Sequence, residues 1–259
     1  PAVPSIDAFL RQTQPLVFPL SSQTASNFGD NRTFTADKTG YCEGILAYVT
    51  ATITSAAGTT GNWDPAFFPF NLIARITCQS NNGFQFYSTS GFENILVQHA
   101  WWGKSNPADL RISPLVSAVG ASSTYYSSQG ARNIKPTVFN VTDSALVSPG
   151  DALAASKTYE ISVPYFIPLT AMQDIRTGLT LIQSQSSGLQ VQFTVGTQSD
   201  IANVTAGSLT LSSLTITPTQ LSYAVPNDPA AQPYAPGNAV RCRWISERTT
   251  WSNSGDIDY

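Results

Sequence analysis

Histidine occurs once in this chain, at His99, and methionine once, at Met172. A metal site built from several histidines is therefore excluded, and any Ser-His-Asp or Cys-His arrangement would depend on that single ring. His99 stands in an apolar stretch, read as a strand, beside Trp101 and Trp102. That setting suits a packed or hydrogen-bonded imidazole better than a catalytic one. The three cysteines, Cys42, Cys78 and Cys242, are odd in number and widely spaced, which gives neither a disulfide framework nor a zinc pattern. Cys42 and Cys78 lie in apolar runs and are expected as buried free thiols. No glycine-rich phosphate loop and no nucleophile elbow occurs. No enzyme activity and no cofactor is expected.

Charge is scarce too. Asp, Glu, Lys and Arg make up 11% of the 259 residues, less than half the usual share of about 25%. The net charge is −3 and there is no run of Lys or Arg. Neutralising phosphates takes clustered cations, so direct nucleic-acid binding is not expected. Low charge also suits a surface that meets other protein surface, because interface cores are depleted of charge. There is no apolar stretch of about 18 residues, and the opening Pro1-Ala2-Val3-Pro4 is not a basic segment followed by an apolar one. The expectation is a protein made and kept in a cytosol until it assembles.

What is abundant is Ser, Thr, Asn and Gln, with hydrophobic residues at 42% and aromatics at 11%. Thr, Val, Ile, Tyr and Phe fit pleated, half-buried surfaces, so the class reads all-β. Over residues 41–56, Ile45, Ala47, Val49, Ala51 and Ile53 alternate with Leu46, Tyr48, Thr50, Thr52 and Thr54, the period of a strand. Residues 70–79 and 84–88 flank the turn Ser80-Asn-Asn-Gly83 and read as a hairpin. Residues 92–100 suit a further strand or a short helix. Tyr159, Ile161, Val163, Tyr165 and Ile167 alternate, as do Leu189, Val191, Phe193 and Val195. Short strands are expected at 115–119, 134–141 and 178–183, and one helical turn within 169–176. Residues 208–225 form a long strand whose apolar phase shifts between Leu211 and Leu214 and again near Pro218, each shift predicting a bulge or bend. Eight or nine main strands fit one jelly-roll sandwich or barrel, with two compact jelly rolls as the alternative. The expected organisation is an N-terminal arm over 1–38 with a short helix, a jelly roll over 39–226 with a loop insertion over 101–157, and a C-terminal arm over 227–259.

Candidate contact residues follow from exposure arguments. Ser5 caps a short amphipathic helix whose stripe includes Ile6, Phe9 and Leu10; such a helix is too short to stand alone and must dock on something. The five tryptophans are Trp63, Trp101, Trp102, Trp244 and Trp251. Phe9, Leu10, Trp101, Trp102, Trp244 and Trp251 are the candidates for subunit contacts, with plugging of the barrel ends as the other reading of the tryptophans. Glu43 and Glu160 fall in strands, so a facing carboxylate pair of glycosidase type stays open. Asn31, Asn140 and Asn203 begin N-x-[ST] sequons and are expected to be unmodified.

Four stretches resemble one family. They are Thr39-Gly-Tyr-Cys-Glu-Gly-Ile-Leu-Ala-Tyr-Val-Thr-Ala-Thr-Ile-Thr, then Pro69-Phe-Asn-Leu-Ile-Ala-Arg-Ile-Thr with Asn82-Gly and Ser90-Gly. Next comes Val163-Pro-Tyr-Phe-Ile-Pro-Leu with Asp174-Ile-Arg-Thr-Gly-Leu and Leu189-Gln-Val-Gln-Phe-Thr-Val, and last the closing strand over 209–226. Their order is similar to that in the major capsid proteins of tailless icosahedral phages with an internal membrane, the double jelly-roll lineage of tectivirus and corticovirus type. The resemblance is strongest to a single barrel; where that family carries a second, only the stretch 227–259 follows here. It implies a coat protein of the virion, made in the host cytoplasm and assembling as a trimer or pseudo-hexameric capsomer. The implied partners are neighbouring capsomers, other capsid proteins and an internal membrane. A carbohydrate-binding sandwich module and a sandwich glycosidase are the alternatives from other functional classes.

Overall fold

Strand alternation organises the chain from Pro15 onward. The computed structural model describes residues 9, 11–80, 83–101, 137–141, 147–169, 180–182, 188–228 and 244–245. In chain order its elements are β1 (Pro15–Pro19), β2 (Gln23–Ala25), β3 (Asn31–Thr35), β4 (Tyr41–Ser55), β5 (Thr60–Trp63), β6 (Ile73–Ser80) and β7 (Gln85–Thr89). There follow α1 (Gly91–Trp101), β8 (Thr137–Asn140), β9 (Thr158–Pro168), β10 (Thr180–Leu181), β11 (Leu189–Val195), α2 (Gln198–Ile201), β12 (Ala202–Ala206), β13 (Leu209–Tyr223) and β14 (Trp244–Ile245).

Two sheets face each other, antiparallel throughout except for β14, which runs parallel to β7. One has the order β1-β13-β4-β9-β8, with β2 also on β13 and β10 on β4; the other has the order β14-β7-β6-β11-β3. The pairings nest: β1 with β13, β3 with β11, β4 with β9 and β6 with β7. The chain is thus one long hairpin, folded at β6–β7, whose two arms wind together from sheet to sheet. That is a single jelly roll, and it accounts for all the long strands among the described residues. A small ribbon of β5 and β12 lies apart from both sheets.

The core is the space between the sheets. On β4, Ile45, Ala47, Val49, Ala51 and Ile53 are buried, and they meet Ile76, Cys78, Val191 and Phe193 of the opposite sheet in one cluster. Burial of this apolar face is the main stabilising term. Trp63 is fully buried at one end, stacked on Phe68 at 4.4 Å and edge-on to Tyr159 at 5.0 Å. Gln220 is also fully buried, yet satisfied: its side chain accepts from Asp37 N at 2.8 Å and donates to Asp37 O at 3.1 Å and Ser222 Oγ at 2.9 Å. It therefore fastens the crossing from β3 to β4 onto β13.

Several expectations are corrected. The arm placed over 1–38 carries three strands of the roll from Pro15 to Thr35. Of the two readings of residues 92–100, the helix is the one found, so His99 lies in α1 and not in a strand. The first part of the stretch 70–79 is a 3-10 turn, Phe70–Leu72, before β6 begins at Ile73. The short strand expected at 134–141, inside the stretch 101–157, is β8, which pairs with β9. On β13 the bulge after Leu211 is present, with Ser212 as the extra residue. The second shift lies between Leu221 and Ser222, where Glu43 is the extra residue on β4, while Pro218 stays in register opposite Ala47. Pro218 is tolerated because it faces the gap between β1 and β2. Leu20 N donates to its carbonyl at 3.0 Å, and no strand there needs the N–H that proline lacks. The expected strand at 115–119 and the helical turn within 169–176 fall outside the described residues, except Leu169.

Candidate functional site

The outer surfaces of the roll, and what covers them, decide what this chain can bind. The outward phase of the first sheet puts Val17, Leu221, Leu46 and Tyr48 together. Val17 pairs with Leu221, and Leu46 and Tyr48 follow on β4 opposite Thr219 and Thr217. Val17 is 62% and Tyr48 38% exposed. Their sequence signal was the second phase of the β4 alternation and the short run Pro-Leu-Val-Phe-Pro.

Beyond the residues that pair with β8, the edge of β9 is covered by α1. Ser90 and Glu93 start that helix reciprocally, Ser90 N donating to Glu93 Oε2 at 2.7 Å and Glu93 N to Ser90 Oγ at 3.2 Å, a capping box. One turn on, Asn94 is fully buried. Its Oδ1 accepts from Phe166 N at 3.1 Å and from Gln98 Nε2 at 2.8 Å; its Nδ2 donates to Phe166 O at 2.7 Å and to the Tyr87 hydroxyl. Gln98 Nε2 also donates to Pro164 O at 3.2 Å. Two side-chain amides thus stand in for a neighbouring strand, which closes an edge that would otherwise invite pairing with another chain.

The six candidate contact residues divide. Phe9 is 0% exposed; it packs edge-on against Tyr41 and Tyr223, each at 5.9 Å, so its apolar surface is used within the chain. Trp244 lies in β14, parallel to β7 and opposite Tyr87. Trp101 is the last residue of α1. Leu10, Trp102 and Trp251 lie outside the described residues.

Surface cavities among the described residues include two of note. One, of about 260 Å³, sits on the outer face of the first sheet beside the β13 bulge and is lined by Thr50, Thr52, Glu160, Ser162, Ser213 and Thr215. The other, of about 570 Å³, lies at the start of α1 between Asp64, Arg75, Glu93, Leu96 and Asp200. Glu43 and Glu160 are not brought together. Glu160 pairs with Thr52, nine positions along β4 from Glu43, or about 30 Å at strand rise, far beyond the separation of about 5–10 Å in carboxylate pairs. Glu43 instead lies against Tyr223, whose hydroxyl is pushed up to about 12 by burial first, then by the Glu43 charge and hydrogen bond.

Cys42 and Cys78 are buried free thiols. Burial pushes Cys42 up to about 12 and Cys78 well above its ordinary value, so both are held as unreactive thiols. Among the described residues no group of three His, Cys, Asp or Glu is placed to hold a metal ion, and no helix is long and apolar enough to cross a membrane.

No family model and no curated protein matches the chain. Solved structures do. The STIV MCP crystal structure is 15% identical with a TM-score of 0.49 over 82% of this chain and 49% of that one. The PBCV-1 virus capsid is 12% identical with a TM-score of 0.45 over 85% and 45%. The mavirus major capsid protein is 13% identical with a TM-score of 0.42 over 84% and 47%. The chain spans about half the length of these structures.

Proposed function

We propose that this chain is a viral coat subunit that works by self-assembly into an icosahedral shell. One observation carries the reading. The stretches that resemble capsid proteins fall, in order, on β4, on β6 and β7, on β9 and β11, and on β13, which are the principal strands of a single wound roll. A roll of this kind is a rigid wedge, and here α1 covers the part of β9 beyond β8 while β14 covers β7. Such a wedge favours contacts through faces and loops over uncontrolled strand pairing.

The finer reading is a trimer or pseudo-hexameric capsomer of the lineage with an internal membrane, located in the virion and made in the host cytoplasm. The proposed contacts are Leu10, Trp101, Trp102 and the outward face of Val17 and Tyr48. A standard interface buries about 1,600 Å², and several per subunit hold a shell by multivalency even where each is weak. Light scattering and negative-stain electron microscopy of the purified protein test the reading. Trimers, hexamers or shells are expected; a monomer that persists across salt and protein concentration overturns it.

A further inference from the structure

β1 ends the first sheet. It pairs with β13 on one side and, among the described residues, with no strand on the other. The ladder decides which of its backbone groups face that open side. β1 and β13 keep one register, from Pro15 opposite Tyr223 to Pro19 opposite Thr219. Just beyond its two ends, Ala224 N donates to Gln14 O at 2.9 Å and Leu20 N to Pro218 O at 3.0 Å. Backbone groups alternate in direction along an antiparallel pair, so Leu16 and Phe18, like Gln14 and Leu20, bond to β13. Pro15, Val17 and Pro19 therefore turn their backbone groups to the open side.

Proline carries no N–H. The open edge thus offers three carbonyls, those of Pro15, Val17 and Pro19, and a single donor, Val17 N–H. The next part of the same side is protected differently. There β2 lies on β13, and Gln23 Nε2 donates to Thr33 O at 2.7 Å and Arg32 Nε to Thr24 O at 2.6 Å. Those two side chains tie β2 to β3 of the other sheet. β1 has no such tie among the described residues, and Val17 is 62% exposed. Leu16-Val17-Phe18 is an apolar segment of the kind that pairs with another chain when left on an edge.

The partner always at hand is a second copy. Two β1 strands set antiparallel about a two-fold axis place Val17 opposite Val17, and each Pro15 opposite the other copy's Pro19. A ladder exchanges two bonds at each of these three pairs, six in all. Here each flanking pair joins two prolines, so carbonyl oxygens meet with no N–H between them, and two bonds of the six remain. We propose that Pro15 and Pro19 bar a second copy of this chain from adding to the first sheet through β1. They act as specificity residues of association, leaving this end of the sheet to contacts made by side chains. The proposal goes beyond the coat reading and does not depend on it.

Restoring the donors tests it. Pro15→Thr and Pro19→Thr are made together in a full chain that carries Val17→Cys as reporter and Cys242→Ser; Cys42 and Cys78 are buried. In the two-fold pair the two positions 17 lie about 5.5 Å apart between Cα atoms, within disulfide reach. Under mild oxidation the bond between chains is expected to form at least about tenfold faster than in the parent with both prolines, because four bonds are regained. Each single change regains two, so Pro15→Thr alone and Pro19→Thr alone are expected to act equally and to fall between. A contact through the outward face of Val17 would speed both backgrounds alike, so the ratio of rates reads the edge. Equal rates with and without the prolines overturn the proposal, as does an effect confined to one of them. Val17→Pro gives a check that needs no association. It removes an N–H that bonds to no strand and is expected to melt with Val17→Ala, whereas Leu16→Pro is expected to melt several degrees below Leu16→Ala. Leu16→Pro melting with Leu16→Ala overturns the assigned edge. Because the trapping compares rates at one site, it can fail while shells form, and succeed where none do.

Discussion

Asn94→Ala should be among the most destabilising single changes in this protein. The side chain is 0% exposed and uses all of its hydrogen-bonding capacity on Phe166 N and O, Gln98 and the Tyr87 hydroxyl. Alanine leaves the Phe166 N–H and carbonyl buried without partners, and Gln98 and Tyr87 must find new ones. At about 1–3 kcal/mol for each stranded group, less what side-chain relaxation recovers, the loss is about 3–5 kcal/mol. A domain of this kind holds about 5–15 kcal/mol in all, and the melting temperature should fall by about 10 °C. Urea titration followed by tryptophan fluorescence measures the loss directly.

Asn94→Asp sharpens the test through pH. A carboxyl in this buried position has its folded pKa raised above the unfolded value of about 3.9. In its protonated form it donates to Phe166 O while its other oxygen accepts from Phe166 N. Its contribution is therefore fully present below the unfolded pKa and is lost as pH rises through the folded one. The Asp variant should approach wild-type stability in acid and approach the Ala variant, or fall below it, at neutral pH. An Ala variant within 1 kcal/mol of wild type, or an Asp variant with no such pH trend relative to wild type, would refute the reasoning.

Other changes probe other parts of the roll. Gln220→Leu keeps the volume but strands the Asp37 backbone at the β3–β4 crossing, and should cost about 2–4 kcal/mol in chemical denaturation. Gly44→Ala drives a methyl to 2.7 Å from Ile167 O and 2.9 Å from the Phe166 ring; the melting curve should record a loss of about 1–3 kcal/mol. Cys42, with its thiol pushed up to about 12, should resist iodoacetamide at about pH 8 unless the protein unfolds; labelling faster than global unfolding, read by mass spectrometry, would contradict its burial. Paired Val17→Asp and Tyr48→Asp changes on the exposed outward face should leave the melting temperature almost unchanged yet reduce particle size in light scattering, if that face joins subunits.

How far the fold could be read in advance depended on which face each strand buries. β4, β9, β11 and β13 bury one face for most of their length, so their alternation was plain, and even the Ser212 bulge was visible as a change of phase. β1, β2 and β3 were missed because they are short, lie at sheet edges and are largely exposed; Pro15 and Pro19 also disguise β1. α1 was ambiguous for a specific reason. Its buried residues Asn94, Ile95, Val97 and Gln98 include two amides, so the apolar residues alone do not trace a helical stripe. The same two amides are the edge cap, which no motif announces. Phe9, expected at a subunit contact, packs within the chain against Tyr41 and Tyr223, which come from opposite ends of the roll, so only the fold brings the three together.

The nested pairing also sets an order of events in folding. Only β6 and β7 are joined by a tight turn, with Gly83 N bonded to Ser80 O at 2.9 Å; every other pair in the nest unites segments farther apart than the pair inside it. Loop-closure entropy rises outward through the series. The β6–β7 hairpin is the natural nucleus, β4 with β9 and β3 with β11 close around it, and β1 meets β13 last. A protein wound this way folds slowly, as chains rich in distant contacts do. Its outermost seam, where Pro15 pairs with Tyr223, is then the last to close and the first to fray.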